Sequence, residues 1–385
     1  MRPRRARTPL YLRPGRSRVL RQPLGVVGVI SPWNYPFQLA MLPVVAALAA
    51  GNRVMLKPSE LTPQTSSLLE RIVAADFAPE EFAVVTGGAE TGSAFARLPF
   101  DHLFFTGSTA VGRKIALAAA GNLTPVTLEL GGKSPALVAE DADLDAVAPR
   151  LAVGKFLNAG QTCIAPDYVL VPPARADALV EALAKAVTVL YPSIGANPDY
   201  ASIVNERHYA RLTALVEDAV GKGARALALG DNERLPASAR KLAPTLLVGV
   251  RDNMAVMQEE IFGPVLPIET YATLDEAIAR INARPHPLAM YAFGFARGAR
   301  ERVLRQTLAG GVTIDDTLWH FGNEELPFGG VGASGIGAYH GERGFLTFTH
   351  EKPVFVQPRF ALTWMLAPPY GGLFEIVMRI LKKLA

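Results

Sequence analysis

Residues 102–115 read HLFFTGSTAVGRKI, and this stretch decides the fold of the first half of the chain. A short apolar run ends at Gly107, small residues follow, and a segment of helical length begins. Buried strands that alternate with helices are typical of a parallel sheet with crossover helices. Similar apolar runs stand on both sides of it, separated by alanine- and leucine-rich segments of helical length: GVVGVI (25–30), RVMLK (53–57), FAVVTG (82–87) and TPVTLEL (124–130).

A second α/β unit is predicted beyond residue 163. Its glycine-rich end, residues 325–341, holds six glycines, too many for a regular element, and predicts a loop that lets backbone approach a neighbour closely. The predicted elements of this unit are helices near 175–190, 206–221, 273–283 and 298–308 and strands at 244–250, 289–295 and 311–315.

The first 22 residues predict a hairpin arm. TPLYL (8–12) and SRVLRQ (17–22) flank Pro14-Gly15, a pair that suits the central positions of a type II turn. A two-stranded ribbon is only marginally stable alone. We therefore expect the arm to dock on a second copy of the chain, which gives a homodimer.

Composition excludes several classes of protein. The 385 residues are 50% hydrophobic, enough for two domain-sized cores, and the net charge is +4. Residues 1–21 carry eight arginines and no acid, but no basic-aromatic interleaving follows, so no nucleic-acid partner is expected. The sequence shows neither a secretory signal nor an uncharged apolar run long enough to span a bilayer. With a single cysteine, a cytoplasmic setting is expected.

That cysteine, Cys163, lies in the polar stretch NAGQTCIAPDYV (158–169). A lone cysteine forms neither an internal disulfide nor a zinc site, and no metal is expected. Two interpretations remain from the residue alone. One is a small buried hydrophobe; the other is a nucleophile with a partner base and an anion-stabilising pocket.

Two further residues have the chemistry that such a nucleophile needs. Glu129, in TLELGGKSP (127–135), is flanked by leucines, so it is either a structural carboxylate or a general base with a raised pKa. Asn34, in SPWNYPF (31–37), follows the first buried strand, at the sheet edge where such folds bind ligands. Its amide can donate to an oxyanion, although an asparagine before a proline-containing turn is also common.

Two motifs suit a dinucleotide. Gly107 and Gly112 bracket a helix start whose backbone N–H groups favour phosphate, although their spacing differs from the usual dinucleotide fingerprint. Lys57 and Glu60, in VMLKPSE, end the second strand, where adenosine ribose hydroxyls are held in dinucleotide-binding sheets. An exposed charge pair is the alternative for these two residues.

Taken together, the motifs resemble the aldehyde dehydrogenase superfamily over roughly residues 8–357. The matching pieces are SPWNYPF, KPSE, FTGSTAVG, LELGGKSP, GQTCIAPDYV and EEIFGPVLPI. The segments LPFGGVGASGIGAYHG and FLTFTHEKPVF are similar to the class 3 branch of aromatic and fatty aldehyde enzymes. LGVVGVISPWNYPF, GQTCIAPDYVLVP and YPSIGANPDYASIVNERHYARL are similar to the coniferyl aldehyde dehydrogenases.

This resemblance implies NAD- or NADP-dependent oxidation of an aldehyde to a carboxylic acid, through a thiohemiacetal and a thioester of the cysteine. The substrate it implies is aromatic, such as coniferyl aldehyde, or a medium- or long-chain aliphatic aldehyde. The resemblance implies that Cys163 is the nucleophile, that Glu129 is the general base, and that Asn34 and the Cys163 N–H form the oxyanion hole. It also implies that Gly107, Ser108 and Gly112 cover the pyrophosphate and that Lys57 and Glu60 hold the adenosine ribose. Glu260 would hold the nicotinamide ribose, and Phe262 would support the nicotinamide ring.

The fold implied is a Rossmann-like parallel-sheet cofactor domain and a second α/β catalytic domain, with an oligomerisation hairpin. The expected boundaries are 1–22 for the hairpin arm, 23–130 for the NAD(P)-binding domain, 131–340 for the catalytic domain and 341–385 for a C-terminal arm with an amphipathic helix. The superfamily's chains have further helices before the hairpin, so a late start or a fragment is expected here.

Several alternatives stay open at this point. A chain without those helices could be an impaired fragment or a scaffold. Release of the acyl group to coenzyme A would not need Glu129, and a phosphorylating enzyme would place a histidine beside the nucleophile. The tail at 373–385 has one apolar helical face with basic residues elsewhere. We expect that helix to dock on the enzyme or a partner subunit, with an anionic membrane surface as the alternative.

Overall fold

The computed structural model describes residues 1–230, 239–368 and 370–384. Among these residues, the strands form three sheets of three, seven and six strands. The strands are β1 (Arg4–Ala6), β2 (Arg16–Pro23), β3 (Val26–Ile30), β4 (Arg53–Lys57), β5 (Phe82–Val84), β6 (His102–Thr106), β7 (Val126–Glu129), β8 (Pro135–Val138), β9 (Tyr168–Val171), β10 (Arg225–Ala228), β11 (Thr245–Val248), β12 (Val265–Thr270), β13 (Ala289–Phe293), β14 (Gly311–Ile314), β15 (Gly335–Ile336) and β16 (Thr349–Val356).

Helices cover the sheets and connect most of the parallel strands. They are α1 (Gln38–Ala49), α2 (Pro63–Asp76), α3 (Ala89–Phe95), α4 (Thr109–Ala120), α5 (Leu144–Phe156), α6 (Ala176–Leu190), α7 (Glu206–Gly221), α8 (Ala255–Gln258), α9 (Leu274–Ala283), α10 (Arg297–Gln306), α11 (Trp319–Gly322), α12 (Gly341–Thr347) and α13 (Gly372–Leu384). The strands and helices predicted from the apolar runs are all present, with small shifts at their ends.

The six-stranded sheet has the order β15-β7-β6-β3-β4-β5. Strands β3 to β7 are parallel, so their carboxyl ends meet at one edge. That edge carries Lys57, Thr106 and Glu129 as the last residues of their strands. The α/β fold with a Rossmann-like sheet predicted from the sequence is confirmed.

The seven-stranded sheet has the order β10-β11-β12-β9-β8-β13-β14, and its strands are parallel except for β10 at one edge. Strand β8 follows β7 after a short link that contains Lys133. Strand β9 begins five residues after Cys163. The chain therefore passes between the two large sheets at the β7–β8 link, and Cys163 lies in the segment that leads into β9.

The arm differs from the predicted hairpin in its first strand. Strand β1 pairs antiparallel with β2, but it covers Arg4–Ala6, and residues Leu10–Leu12 form a 3-10 turn instead of a strand. Gly15 lacks the positive φ that a type II turn requires at its third residue, so the predicted turn at Pro14-Gly15 is wrong. Strand β16 pairs with β2 along its whole length and makes the arm a three-stranded sheet.

The glycine-rich segment is more regular than expected. Gly335 and Ile336 form β15, which pairs antiparallel with Glu129 and Leu128 of β7. A Cβ at Gly335 would lie 2.4 Å from the Leu128 carbonyl oxygen, so only glycine permits this approach. Gly335 and Ile336 thus add a short edge strand to the six-stranded sheet.

The C-terminal helix α13 forms as predicted. Its apolar residues Leu373, Ile376 and Ile380 are exposed on the single chain, so the enzyme body does not cover that stripe. Among the helices that the structure describes, none is both long and apolar enough to cross a bilayer.

Candidate active site

A cavity of about 400 Å³ opens at the carboxyl edge of the six-stranded sheet. It is lined by parts of both large units, as expected where parallel strands end and loops diverge. The predicted site residues that it brings together are Asn34, Gly107, Ser108, Cys163, Glu260 and Phe262.

A strained turn presents Cys163 to this cavity. Helix α5 ends at Phe156, and the backbone then takes left-handed conformations at Asn158 (φ 51°), Ala159 (φ 50°) and Gly160 (φ 73°). A Cβ at Gly160 would lie 2.2 Å from the Gly263 carbonyl oxygen. A left-handed alanine costs roughly 1–2 kcal/mol, so the surrounding structure must hold this turn in place. Cys163 is half-buried as a residue and lines the cavity.

The cysteine is protonated at neutral pH in the ligand-free protein. Burial raises the pKa of the Cys163 thiol to about 12, and the nearby Glu260 and Glu129 carboxylates add to the increase. Backbone N–H groups of Cys163 and Ile164 hydrogen-bond the sulfur and partly oppose it. A base or a positive charge is therefore needed to form the thiolate.

Glu129 is the last residue of β7 and is 2% exposed. Neither carboxylate oxygen has a hydrogen-bond partner within the described ranges. Burial raises the pKa of Glu129 well above its usual value, and its charge raises the pKa of both Cys163 and Tyr339. A buried carboxyl group beside a thiol, held without donors, is suited to accept and release a proton.

Asn34 is tied to the cysteine turn by two hydrogen bonds. Its Nδ2 donates to the Gln161 carbonyl at 3.0 Å, and the Asn158 Nδ2 donates to the Asn34 carbonyl at 3.1 Å. Because an amide nitrogen carries two hydrogens, a second N–H of Asn34 remains for an oxygen bound in the cavity. Two hydrogen bonds therefore tie the loop after β3 to the cysteine turn.

The start of α4 forms one wall of the cavity. Ser108 is its N-cap, with its hydroxyl accepting from the Val111 N–H, and the Gly107 N–H donates to the Glu129 carbonyl at 3.0 Å. Gly112 lies one turn further and does not line the cavity. A Cβ there would lie 2.5 Å from the Leu130 side chain, so this glycine lets α4 pack closely on the sheet.

Lys57 and Glu60 lie at the end of β4, away from the cysteine. They form an ion pair at 3.0 Å with Lys57 buried and Glu60 half-exposed. Burial raises the pKa of Glu60, but hydrogen bonds from its own backbone N–H and from Lys57 outweigh this and lower it. Glu60 lines a separate groove of about 260 Å³ with Gly87 and Gly88.

The segment after α8 brings two predicted residues to the cavity. Burial, and then the charge of Asp167, raise the pKa of Glu260 to about 8. A Cβ at Gly131 would lie 2.2 Å from the Glu260 carboxylate, so this carboxylate needs glycine opposite it. Phe262 has a φ of 49° and meets the Trp33 ring edge-on at 5.4 Å.

Sequence reasoning missed three residues that line the same cavity: Trp33, His208 and Arg211. His208 and Arg211 lie on the first turns of α7, and Arg211 donates to the carbonyls of Glu260 (3.2 Å) and Ile261. The sequence showed only an amphipathic helix there, and no local signal indicates that its first turns face a cavity formed by distant segments.

No group of three or more His, Cys, Asp and Glu side chains that could hold a metal ion occurs in the part of the chain that the structure describes.

The chain is similar to known proteins over nearly all of its length. The model of the aldehyde dehydrogenase family matches residues 6–354. A probable coniferyl aldehyde dehydrogenase of Pseudomonas aeruginosa is 51% identical over 374 residues, which are 96% of this chain and 77% of that protein. The substrate-bound state of Staphylococcus aureus AldH superposes with a TM-score of 0.93 at 45% identity and covers 98% of this chain and 82% of that one.

A third similarity concerns the cofactor. The structure of a Mycobacterium tuberculosis aldehyde dehydrogenase complexed with NAD+ has a TM-score of 0.82 and 36% identity, and covers 91% of this chain and 72% of that one.

Proposed function

We propose how this chain, which belongs to the aldehyde dehydrogenase family and is a nicotinamide-dependent aldehyde dehydrogenase, performs its reaction: Cys163 is the nucleophile, Glu129 the general base and Asn34 a donor of the oxyanion hole. The observation that supports these roles best is the meeting of the thiol and the Asn34 amide in one cavity, beside a buried carboxyl group.

The cavity fits a nicotinamide dinucleotide. The N–H groups at the start of α4 suit a pyrophosphate, the Glu260 carboxylate suits ribose hydroxyls, and the Phe262 ring suits an aromatic face. The groove beside Lys57 and Glu60 suits the adenosine ribose. When bound, the cofactor supplies the hydride acceptor that no side chain can provide.

In the first half of the reaction, the thiol loses its proton to water, and the sulfur adds to the aldehyde carbon. The carbonyl oxygen becomes an oxyanion, which accepts hydrogen bonds from the second N–H of Asn34 and from the Cys163 backbone N–H. The ties between Asn34 and the cysteine turn keep these donors fixed relative to the sulfur.

In the second half, loss of hydride leaves a thioester on Cys163. Glu129 accepts a proton from water, the water oxygen adds to the thioester carbon, and the C–S bond breaks to release the carboxylic acid. A carboxyl group with a raised pKa is suited to this task, since its carboxylate is a stronger base than that of an ordinary glutamate.

For the substrate, we propose an aromatic aldehyde with coniferyl aldehyde first, and a medium- or long-chain aliphatic aldehyde as the second candidate. The name of the Pseudomonas aeruginosa relative supports this choice. Either NAD or NADP is proposed, with NAD preferred because the Glu60 charge opposes a 2′-phosphate. A cytoplasmic homodimer joined through the β1–β2–β16 arm completes the proposal.

A kinetic panel tests this function. Coniferyl, cinnamic-type, medium-chain aliphatic and small polar aldehydes are each assayed with NAD and with NADP, on the wild type and on Cys163→Ala. We expect aromatic aldehydes to have the highest kcat/KM, and Cys163→Ala to lose at least roughly 10⁴-fold in kcat because no other group can replace the nucleophile. Cofactor binding by Cys163→Ala is the control for folding. Preference for a small polar aldehyde would remove the substrate proposal, and an active Cys163→Ala would remove the nucleophile.

A further inference from the structure

A buried ion pair lies four residues beyond the cysteine and has no part in the reaction described above. Asp167, 3% exposed, pairs through Oδ2 with the Lys133 ammonium and accepts from the Ile261 N–H at 2.9 Å through Oδ1. The Lys133 Nζ also donates to the carbonyls of Val256 at 2.8 Å and Glu259 at 3.1 Å. The contact with the Ile261 N–H is buried, and hydrogen bonds to charged groups are stronger than those between neutral groups.

The pair joins three segments that are distant in sequence. Lys133 lies in the link between β7 and β8, and Asp167 lies between Cys163 and β9. The third segment, residues 256–262, carries Glu260 and Phe262; we call it the ribose loop. The Asp167 N–H also donates to the Ser134 carbonyl at 2.7 Å, which fixes the carboxylate relative to the β7–β8 link.

The ribose loop is held on its other side by Arg211. That side chain donates to the backbone carbonyls of Glu260 and Ile261 and pairs with the Glu259 carboxylate at 3.0 Å. The loop backbone is therefore fixed by charged side chains from two directions. The side chains of Glu260 and Phe262 are left to face the cavity that contains Cys163.

A buried ion pair adds little to the free energy of unfolding, because removing two charges from water costs several kcal/mol. Apolar side chains of similar size often stabilise a protein equally well. What this pair provides is geometry, since all its remaining hydrogen bonds go to backbone atoms of the ribose loop and of the β7–β8 link. A shift of about 1 Å in groups that hold a reactant can cost on the order of a hundredfold in rate or binding.

We propose that Asp167 and Lys133 are a positioning pair that fixes the ribose loop relative to the Cys163 thiol, and thereby sets the affinity for the nicotinamide half of the cofactor. The inference depends on the proposed cofactor role of Glu260. The pair acts through the loop and touches neither the aldehyde nor the sulfur.

The test compares NAD+ binding by calorimetry, the KM for NAD+, kcat, and the rate of thiol alkylation without cofactor. The variants are Asp167→Asn, Lys133→Met and Lys133→Arg. We expect Asp167→Asn and Lys133→Met to weaken NAD+ binding about tenfold or more and to raise the KM in parallel, with thiol alkylation within about twofold of wild type. Lys133→Arg keeps the charge and the donors and should restore most of the affinity.

Glu269→Gln is the matched control for a merely structural role. Glu269 is about as deeply buried as Asp167, pairs with Arg284 at 2.8 Å and Arg280 at 3.1 Å, and does not line the cavity that contains Cys163. We expect this variant to lower the unfolding temperature without a change in NAD+ affinity. Equal weakening of NAD+ binding in Glu269→Gln and Asp167→Asn, or wild-type affinity in both Asp167→Asn and Lys133→Met, overturns the positioning role.

Glu260→Ala separates this inference from the proposed site. If Glu260→Ala weakens NAD+ binding while Asp167→Asn and Lys133→Met do not, the positioning pair is wrong and the ribose site stands. If Glu260→Ala binds NAD+ like the wild type, the ribose assignment fails, and the positioning role fails with it.

Discussion

Two buried carboxyl groups on either side of Cys163 differ in almost every contact. Asp167 has an ion pair with Lys133 and accepts the Ile261 N–H, so its charge is fully satisfied. Glu129 is equally buried, but its two oxygens lack any donor in the described part of the chain. Glu129 stands between two leucines and Asp167 follows a proline, but neither setting shows which carboxylate has partners in the fold.

These different surroundings determine which chemistry suits each carboxyl group. A carboxylate surrounded by donors is held in one place and cannot change its proton without loss of those bonds. A carboxyl group without donors is destabilised as an ion, so it keeps its proton to higher pH than an ordinary carboxyl group. The first is suited to hold a loop, and the second is suited to proton transfer.

The largest expected effect comes from Glu129→Gln, which keeps the size of the side chain and removes its proton chemistry. We expect a burst of reduced cofactor of about one equivalent per site, followed by a steady state roughly 10²–10⁴-fold slower than wild type, because the thioester is no longer hydrolysed. Stopped-flow absorbance of the reduced cofactor measures both phases.

Asp167→Asn is the paired comparison for Glu129→Gln, because it alters the other buried carboxyl group. It should keep a steady state at saturating cofactor, because the base is intact. A normal steady state in Glu129→Gln would show that another group activates the water, and the contrast between the two carboxyl groups would then carry no functional meaning.

The pH dependence is the next largest effect. Burial raises the pKa of Glu129, so its acid form persists to higher pH than usual, and the base form needed for hydrolysis is lost as the pH falls. The thiol, with a pKa of about 12 in the ligand-free protein, changes in the same direction. We therefore expect kcat to rise with pH over a range that begins above the usual pKa of a glutamate, with a limiting slope of about tenfold per pH unit.

Steady-state assays across that range, at saturating aldehyde and cofactor, give the profile. Glu260→Gln serves as a control, since the pKa of Glu260 is also raised, to about 8. If Glu260→Gln no longer shows the fall in kcat at low pH, the titrating group is Glu260 and the assignment to Glu129 is wrong.

The smallest effect concerns Glu60, a carboxylate between the two extremes, half-exposed and paired with Lys57 at 3.0 Å. Glu60→Gln removes a negative charge from the expected position of the adenosine ribose. We expect the ratio of kcat/KM for NADP to that for NAD to rise about threefold to fivefold, since an exposed pair is worth roughly 1 kcal/mol or less. Parallel assays with both cofactors measure the ratio, and a ratio that falls would place Glu60 away from the 2′-position.

Local patterns predicted the parallel strands well, because each is a short apolar run closed by a helix and needs no knowledge of its neighbours. Sequence patterns gave wrong predictions, or none, where the structure depends on contacts between segments that are distant in the chain. The predicted type II turn was wrong because Gly15 does not take a positive φ, and two residues of the predicted glycine-rich loop form β15 because β7 offers an edge to pair with. His208 and Arg211 had no signal, since their role comes from the Glu260 segment against which α7 packs.

Local sequence was enough to predict the elements, the α/β class, the lone thiol and the residue types of the candidate site, because periodicity and glycine or proline placement act within a few residues. The tertiary structure alone decided which carboxyl group is paired and which is not. Burial and hydrogen bonding depend on atoms supplied by segments far apart in the chain, and these two quantities set whether a buried carboxyl group holds a loop or moves a proton.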